Sequence, residues 1–236
     1  MRTVLAYITK STSRLIADTR VTSSQNNSID DDCVKMHYIP QKGYIAGVGV
    51  GELLLEMQSR ILSNKKLDIY RPILLDSFSK AYWSLVKDCI DNSIMEILKR
   101  TGIYVSWKDN ACCNLRLFSC GFEKEVYRDL IESQVYILFP DDINEDTRIK
   151  IIEGSQVSSI NSDISYVILK MLETFKVISE KSEFVSSKAC IGIIMAETER
   201  PWYCEGNIND LLELHLVGKI ENSFDIHREK LEKNSL

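Results

Sequence analysis

Proline is scarce in this 236-residue chain, with four residues, and no Pro-, Gly- or Ser-rich stretch divides it. Neither a linker nor an internal repeat marks a second domain, so one domain is the simplest reading of residues 1–236. No run approaches the ~18 apolar residues of a membrane span, and "MRTVLAYITK" lacks the long apolar core of a signal peptide. Positive charge is in deficit. Lys and Arg number 29 against 34 Asp and Glu, a net of −5, which argues against a nucleic-acid partner. The three histidines, His37, His215 and His227, are scattered and no CxxC pair occurs, so no metal or other cofactor is expected. Seven cysteines, at positions 33, 89, 112, 113, 120, 190 and 204, are odd in number and irregular in spacing. Those in apolar company, as in "ACIGIIM", read as small core residues of a reducing compartment, and the cytoplasm is the expected location.

What is present is a chain with 44% hydrophobic residues, enough to build a sizeable core. Residues 3–10 and 12–17 read as two strands joined by a tight polar turn around "KSTS". After the polar stretch "SSQNNSIDDD" come "VKMHYI" (34–39) and "GYIAGVGV" (43–50), a second hairpin around Pro40 to Gly43. The period then changes. "ELLLEMQSRIL" is helical, and residues 73–99 place Leu74, Phe78, Ala81, Leu85 and Cys89 on one face, with Pro72 in the first turn. Strands are expected again at 112–122 and 134–139. The acidic "PDDINEDTR" reads as a solvated loop, and a helix is expected over 158–177 with Ile160, Ile164, Val167, Ile168 and Leu172 inward. "ACIGIIMAE" (189–197) and "LLELHLVG" (211–218) read as late strands, before a charged tail from about residue 225. Grouped strands and grouped helices point to an α+β chain with helices layered on antiparallel sheets. The strands of 3–50 are expected to share one sheet, with the helices of about 52–62 and 72–99 over it.

Two short stretches bear on chemistry. "IAGVGVGE" (45–52) invites a nucleotide reading, but Glu52 stands where the dinucleotide fingerprint needs a third glycine, and no βαβ unit surrounds it. A small-molecule-binding protein with a glycine-rich turn stays open as a minor reading. "ADTR" (17–20) closes a buried strand with two charged residues, which are rarely buried unless paired.

Taken together, "TVLAYITKSTSRLIADTRVTS", "CVKMHYI" and "YIAGVGVGE" resemble the proteasome β-subunit group of N-terminal-nucleophile hydrolases. The shared elements are Asp-x-Arg closing the second strand, a lysine heading a later strand, and Ala-Gly closing the next strand before a helix. The resemblance is close over residues 3–60; beyond that mainly the order of elements agrees. It implies a four-layer α-β-β-α sandwich and a ring-forming threonine-type peptidase acting on peptide or unfolded protein. An ATP-dependent unfoldase is a further partner that the resemblance allows.

By the same resemblance Asp18 holds Lys35 beside the nucleophile, Arg20 braces the site and the Gly47 N–H donates to the oxyanion. Ser155 after Gly154, and Glu183 with Ser186, match further family positions less well. There the second glycine is missing and a glutamate replaces an aspartate. Val21, Thr22, Cys33, Ile45 and Gly49 fall where the family binds substrate, and none is charged. The nucleophile would be Thr3, whose freed α-amine serves as its own base. A neighbouring Lys35⁺ would lower that amine below its reference of ~7.7–8. Ungapped pairing, however, puts Arg2 in the nucleophile position, and Thr3 takes it only if the "KSTS" turn is one residue short. Met1 and Arg2 must be lost in either case. The alternative is a catalytically inactive relative that keeps the fold and the Asp18–Lys35 pair as a scaffold or binding subunit.

Overall fold

The computed structural model describes residues 3–22, 29–31, 35–39, 43–63, 70–88, 96, 98–109, 112–119, 126–157, 163–198 and 201–220. Two five-stranded antiparallel sheets organise them. The first runs β10 (Val135–Leu138), β1 (Val4–Ile8), β2 (Thr12–Asp18), β11 (Lys188–Met195), β12 (Trp202–Asn207). The second runs β5 (Met36–Ile39), β6 (Gly43–Val48), β7 (Gly102–Asp109), β8 (Cys112–Ser119), β9 (Tyr127–Asp129). A two-stranded ribbon, β3 (Val21–Thr22) with β4 (Ile29–Asp30), leaves the end of β2.

The strands of residues 3–50 therefore do not share one sheet, contrary to the expectation. Both edges of the β1–β2 hairpin are taken. β10 pairs with β1 (Val4 opposite Leu138) and β11 with β2 (Ala189 opposite Asp18), so β5–β6 has no edge to join. It begins the second sheet instead, where β6 pairs with β7.

Helices α1 (Gly51–Ser63) and α2 (Tyr70–Asp88) follow β6, and their buried side chains Leu53, Met57, Ile61, Phe78 and Ala81 meet Ile45, Val105 and Trp107 of the second sheet. On the first sheet Leu5, Ile16, Ile191 and Ile193 meet Val167, Met171, Leu172 and Phe175 of α4 (Ile164–Lys181), with Ile151 of α3 (Glu145–Ser155) and Leu211 of α5 (Ile208–Leu216). A third cluster lies between the sheets, where Val4, Ala6, Leu15 and Ala17 face Met36, Tyr44, Ala46 and Tyr104. Alternate residues of β1 thus feed different clusters, as strand geometry demands.

Several elements depart from the sequence reading. "LLELHLVG" is not a strand: residues 208–216 form α5, because the Asn207 side chain accepts from Asn209 N–H at 3.0 Å and caps a helix whose Ile208 and Leu211 are buried. The acidic stretch is not all loop either. Asn144 accepts from Thr147 N–H at 2.9 Å, and Glu145 and Asp146 occupy the first turn of α3, where negative charge complements the helix dipole. Strands β3, β4, β7, β9 and β12 lie where no strand was expected. The helix expected over 158–177 is α4, which starts at Ile164, with Val167, Ile168 and Leu172 inward as expected; Ile160 lies outside the described residues.

One buried charge lacks compensation. Arg14, opposite Tyr7 across the hairpin, is 1% exposed, and its guanidinium lies 5.2 Å from the Tyr7 ring centroid. Its Nε and Nη1, and the Tyr7 hydroxyl, have no hydrogen-bond partner among the described residues, and burial pushes the Arg14 pKa down to about 10. Methionine keeps the apolar stem without the charge. Arg14→Met is expected to gain about 1–4 kcal/mol in urea denaturation at neutral pH. A comparable loss would show that the guanidinium is satisfied in solution.

Candidate functional site

Asp18 is the last residue of β2, and the hairpin register that pairs Val4 with Ala17 brings Thr3 opposite it. The Asp18 N–H donates to the Thr3 carbonyl at 3.3 Å, and the Thr3 N–H donates to Asp18 Oδ1 at 3.1 Å. From the head of β5 on the second sheet, Lys35 Nζ donates to Asp18 Oδ2 at 2.5 Å, and Arg20 N–H donates to the same oxygen at 3.1 Å. Side-chain exposure is 3% for Lys35 and 0% for Asp18. Two sheets are thus tied by one ion pair with almost no water contact. Such a pair is held by geometry and extra hydrogen bonds, and removing one partner leaves an uncompensated buried charge.

Around this pair the connecting segments are braced by Arg20. Its Nε and Nη2 donate to Asp31 Oδ1 and Oδ2 at 2.6 and 3.0 Å, a bidentate fork, and its Nη1 donates to the Glu183 carbonyl at 2.6 Å. The Asp31 hydrogen bond raises the Arg20 pKa, and the same bond lowers that of Asp31. Beyond Glu183, the Asp142 carboxylate accepts from Ser182 Oγ at 2.8 Å and from Glu183 N–H at 2.9 Å. Cys190 is also close, its thiol donating to the Ala17 carbonyl at 3.3 Å. Burial pushes that thiol up to about 12, so it stays protonated at neutral pH and is no nucleophile.

The residues singled out from sequence fall into two groups. Asp18, Lys35, Arg20 and the Thr3 nitrogen come together. The Thr3 hydroxyl does not point into the cluster: Oγ1 donates to the Leu138 carbonyl of β10 at 2.8 Å, and the residue is fully buried. Gly47 sits on β6 one step past the Met36–Ala46 pair, a step that extends the register to place it opposite Lys35. Glu183 contributes its backbone, while its side chain is exposed.

The other assignments need correction. Ser155 does not begin a helix; it ends α3, and its hydroxyl donates to the Ile152 carbonyl at 2.8 Å. Ser186 Oγ accepts from Lys188 N–H at 3.0 Å, the work of a turn residue. Ile45 is fully buried in the core beneath α1 and α2, with no surface for a substrate. Gly49 makes the β6–α1 turn at φ 97°, where a Cβ would come within 2.3 Å of Thr101 Oγ1, so its role is steric. The side chains of Val21 and Thr22, and all of Cys33, lie outside the described residues. Asp31, Leu138 and Asp142 were missed. Asp31 was hidden in an acidic run that reads as surface, and a carbonyl acceptor such as Leu138 leaves no trace in side-chain chemistry.

The chain matches no protein-family model and no curated protein. Among the described residues no cluster of three or more His, Cys, Asp or Glu could hold a metal ion, and no helix is long and apolar enough to cross a membrane.

Two outcomes are expected. Lys35→Met should cost about 3–5 kcal/mol in chemical denaturation, and adding Asp18→Asn should restore part of that loss, since the stranded charge is then gone. Additive losses would show that the two residues do not interact. Asp31, with its pKa depressed in the folded state, contributes stability that is present above its ordinary value of 3.8 and lost as pH falls below it. Wild type should therefore lose its advantage over Asp31→Asn as pH drops through that range.

Proposed function

We propose that this chain is a proteasome β-like N-terminal-nucleophile hydrolase, a threonine-type peptidase that is latent while Met1 and Arg2 remain attached. One observation carries the reading: the buried Asp18 carboxylate holds the Lys35 ammonium and the Thr3 nitrogen together. The three apolar clusters add support, since they separate helices, sheet, sheet and helices in the order of a four-layer sandwich.

The chemistry follows from the proton on nitrogen. With Arg2 attached, the Thr3 nitrogen is an amide and has no basic lone pair. Once Met1 and Arg2 are lost it becomes an amine, and Lys35⁺ nearby favours its neutral form. Thr3 Oγ1 turns from the Leu138 carbonyl about the Cα–Cβ bond and gives its proton to that amine. The oxygen then attacks the amide carbonyl of a peptide, and the Gly47 N–H donates to the tetrahedral oxyanion. Collapse expels the leaving amine, which takes the proton, and water releases the acyl group from Thr3. The working unit is a homo-oligomeric ring in the cytoplasm. Trp83 on α2, 59% exposed, offers apolar surface to a neighbouring subunit.

A second reading is favoured by a specific observation. In the full chain Thr3 is fully buried and spends its N–H on Asp18 and its hydroxyl on Leu138, which is what a structural strand residue does. On that reading the protein is an inactive scaffold subunit. Protein produced to start at Thr3, by cleaving a fused leader, separates the two. It should hydrolyse fluorogenic peptides, the full-length chain should not, and Thr3→Ala should lose at least about 10³-fold of the rate, the scale of a missing nucleophile. An inert trimmed protein with its Asp18–Lys35 pair intact would make the scaffold reading correct.

A further inference from the structure

We infer that Asp142 is a positioning residue for the Asp18–Lys35 site, acting through the backbone of Glu183 and the Arg20 guanidinium; this rests on the hydrolase reading. The path is continuous. Asp142 takes the Ser182 hydroxyl and the Glu183 N–H, which fixes the turn that leaves α4. The Glu183 carbonyl in turn takes Arg20 Nη1 at 2.6 Å. Arg20 is clamped from its other side by Asp31, and its own N–H ends on Asp18 Oδ2, the oxygen that also holds Lys35 Nζ.

Each link has a physical consequence. The Glu183 N–H and the Glu183 carbonyl flank one Cα, so holding that N–H on Asp142 restricts the directions in which the carbonyl can point toward Arg20. Arg20 cannot turn without breaking its bonds to Asp31 and to Glu183 together, and that rigidity holds the Asp18 side chain at one angle. Asp142 itself is exposed, and a lone exposed ion pair contributes little. Its effect is geometric, through a network anchored by bidentate and charge-assisted bonds. The β10–α3 connection that carries Asp142 begins at Leu138, whose carbonyl holds the Thr3 hydroxyl. One segment therefore touches the site at both ends.

Asp142→Ala tests this by removing both acceptors, whereas Asp142→Asn can still accept from Glu183 N–H and donate to Ser182 Oγ and should change little. In the full-length Asp142→Ala chain, amide hydrogen exchange read by NMR should speed up about tenfold at Arg20, while the amide of Ile191 in the centre of β11 stays unchanged. In protein starting at Thr3, kcat should fall with KM unchanged. Unchanged exchange at Arg20, an equal rise at Ile191, or faster Arg20 exchange with kcat intact would each overturn the inference. If the trimmed wild type is inert, the hydrolase reading fails, and the exchange measurement alone decides whether Asp142 holds the Arg20–Asp18 geometry.

Discussion

The Asp18 carboxylate is the point on which the two sheets depend. It sits at the end of β2 in the first sheet, accepts Lys35 from the second, and takes the backbone nitrogens of Thr3 and Arg20. Removing two charges from water costs several kcal/mol per ion, and close pairing with further hydrogen bonds offsets that cost. Asp18 has those bonds. Its oxygens accept from three donors, and those donors come from three separate parts of the chain. A carboxylate placed so cannot be exchanged for a neutral residue without leaving Lys35 stranded, which makes the position a constraint on everything that packs near it.

Close packing of the sheets is what brings Lys35 within reach. A Cβ at Gly192 of β11 would approach Met36 Sδ at 2.5 Å and the Tyr44 ring at 2.8 Å, so the first sheet can approach β5 and β6 only because this position is glycine. The contact is adjacent to the head of β5, where Lys35 enters. Tyr44 adds a hydrogen bond from its hydroxyl to the Trp202 carbonyl at 2.8 Å, and Ser106 Oγ of the second sheet donates to Ser13 Oγ of the first at 2.7 Å. Polar atoms between the sheets thus find partners across the gap, and the apolar ones fill it.

Legibility of the sequence tracked the period of its hydrophobic pattern. The β1–β2 hairpin, β6 and α1 were readable because short apolar runs bounded by turn residues and helical spacing are local properties. Strand β7, "GIYVSWKD", was not expected, although six of its residues are buried in succession, a continuous run as in β1, β2 and β6. α5 was misread because "LLELHL" fits either period, and the deciding feature is the Asn207 cap, one residue whose hydrogen bond exists only in the folded chain. The contact of Asp18 with Lys35 was expected from the family resemblance and is present, whereas the burial of Ile45 and the place of Ser155 at a helix end were not, because a residue match carries no information on where its side chain points.

By itself the sequence determined the α+β class and the amphipathic elements of the first sixty residues, which follow from local spacing, whereas the pairing of Asp18 with Lys35 was expected only from the family resemblance. The tertiary structure decided the rest. Which edge of β1–β2 each later strand took, the commitment of the Thr3 hydroxyl to Leu138, and the link from Asp142 through Glu183 to Arg20 all join residues far apart in the chain. Contacts of that kind are set by which surfaces and backbone groups remain unsatisfied once the nearest ones have paired, and no local pattern encodes that competition.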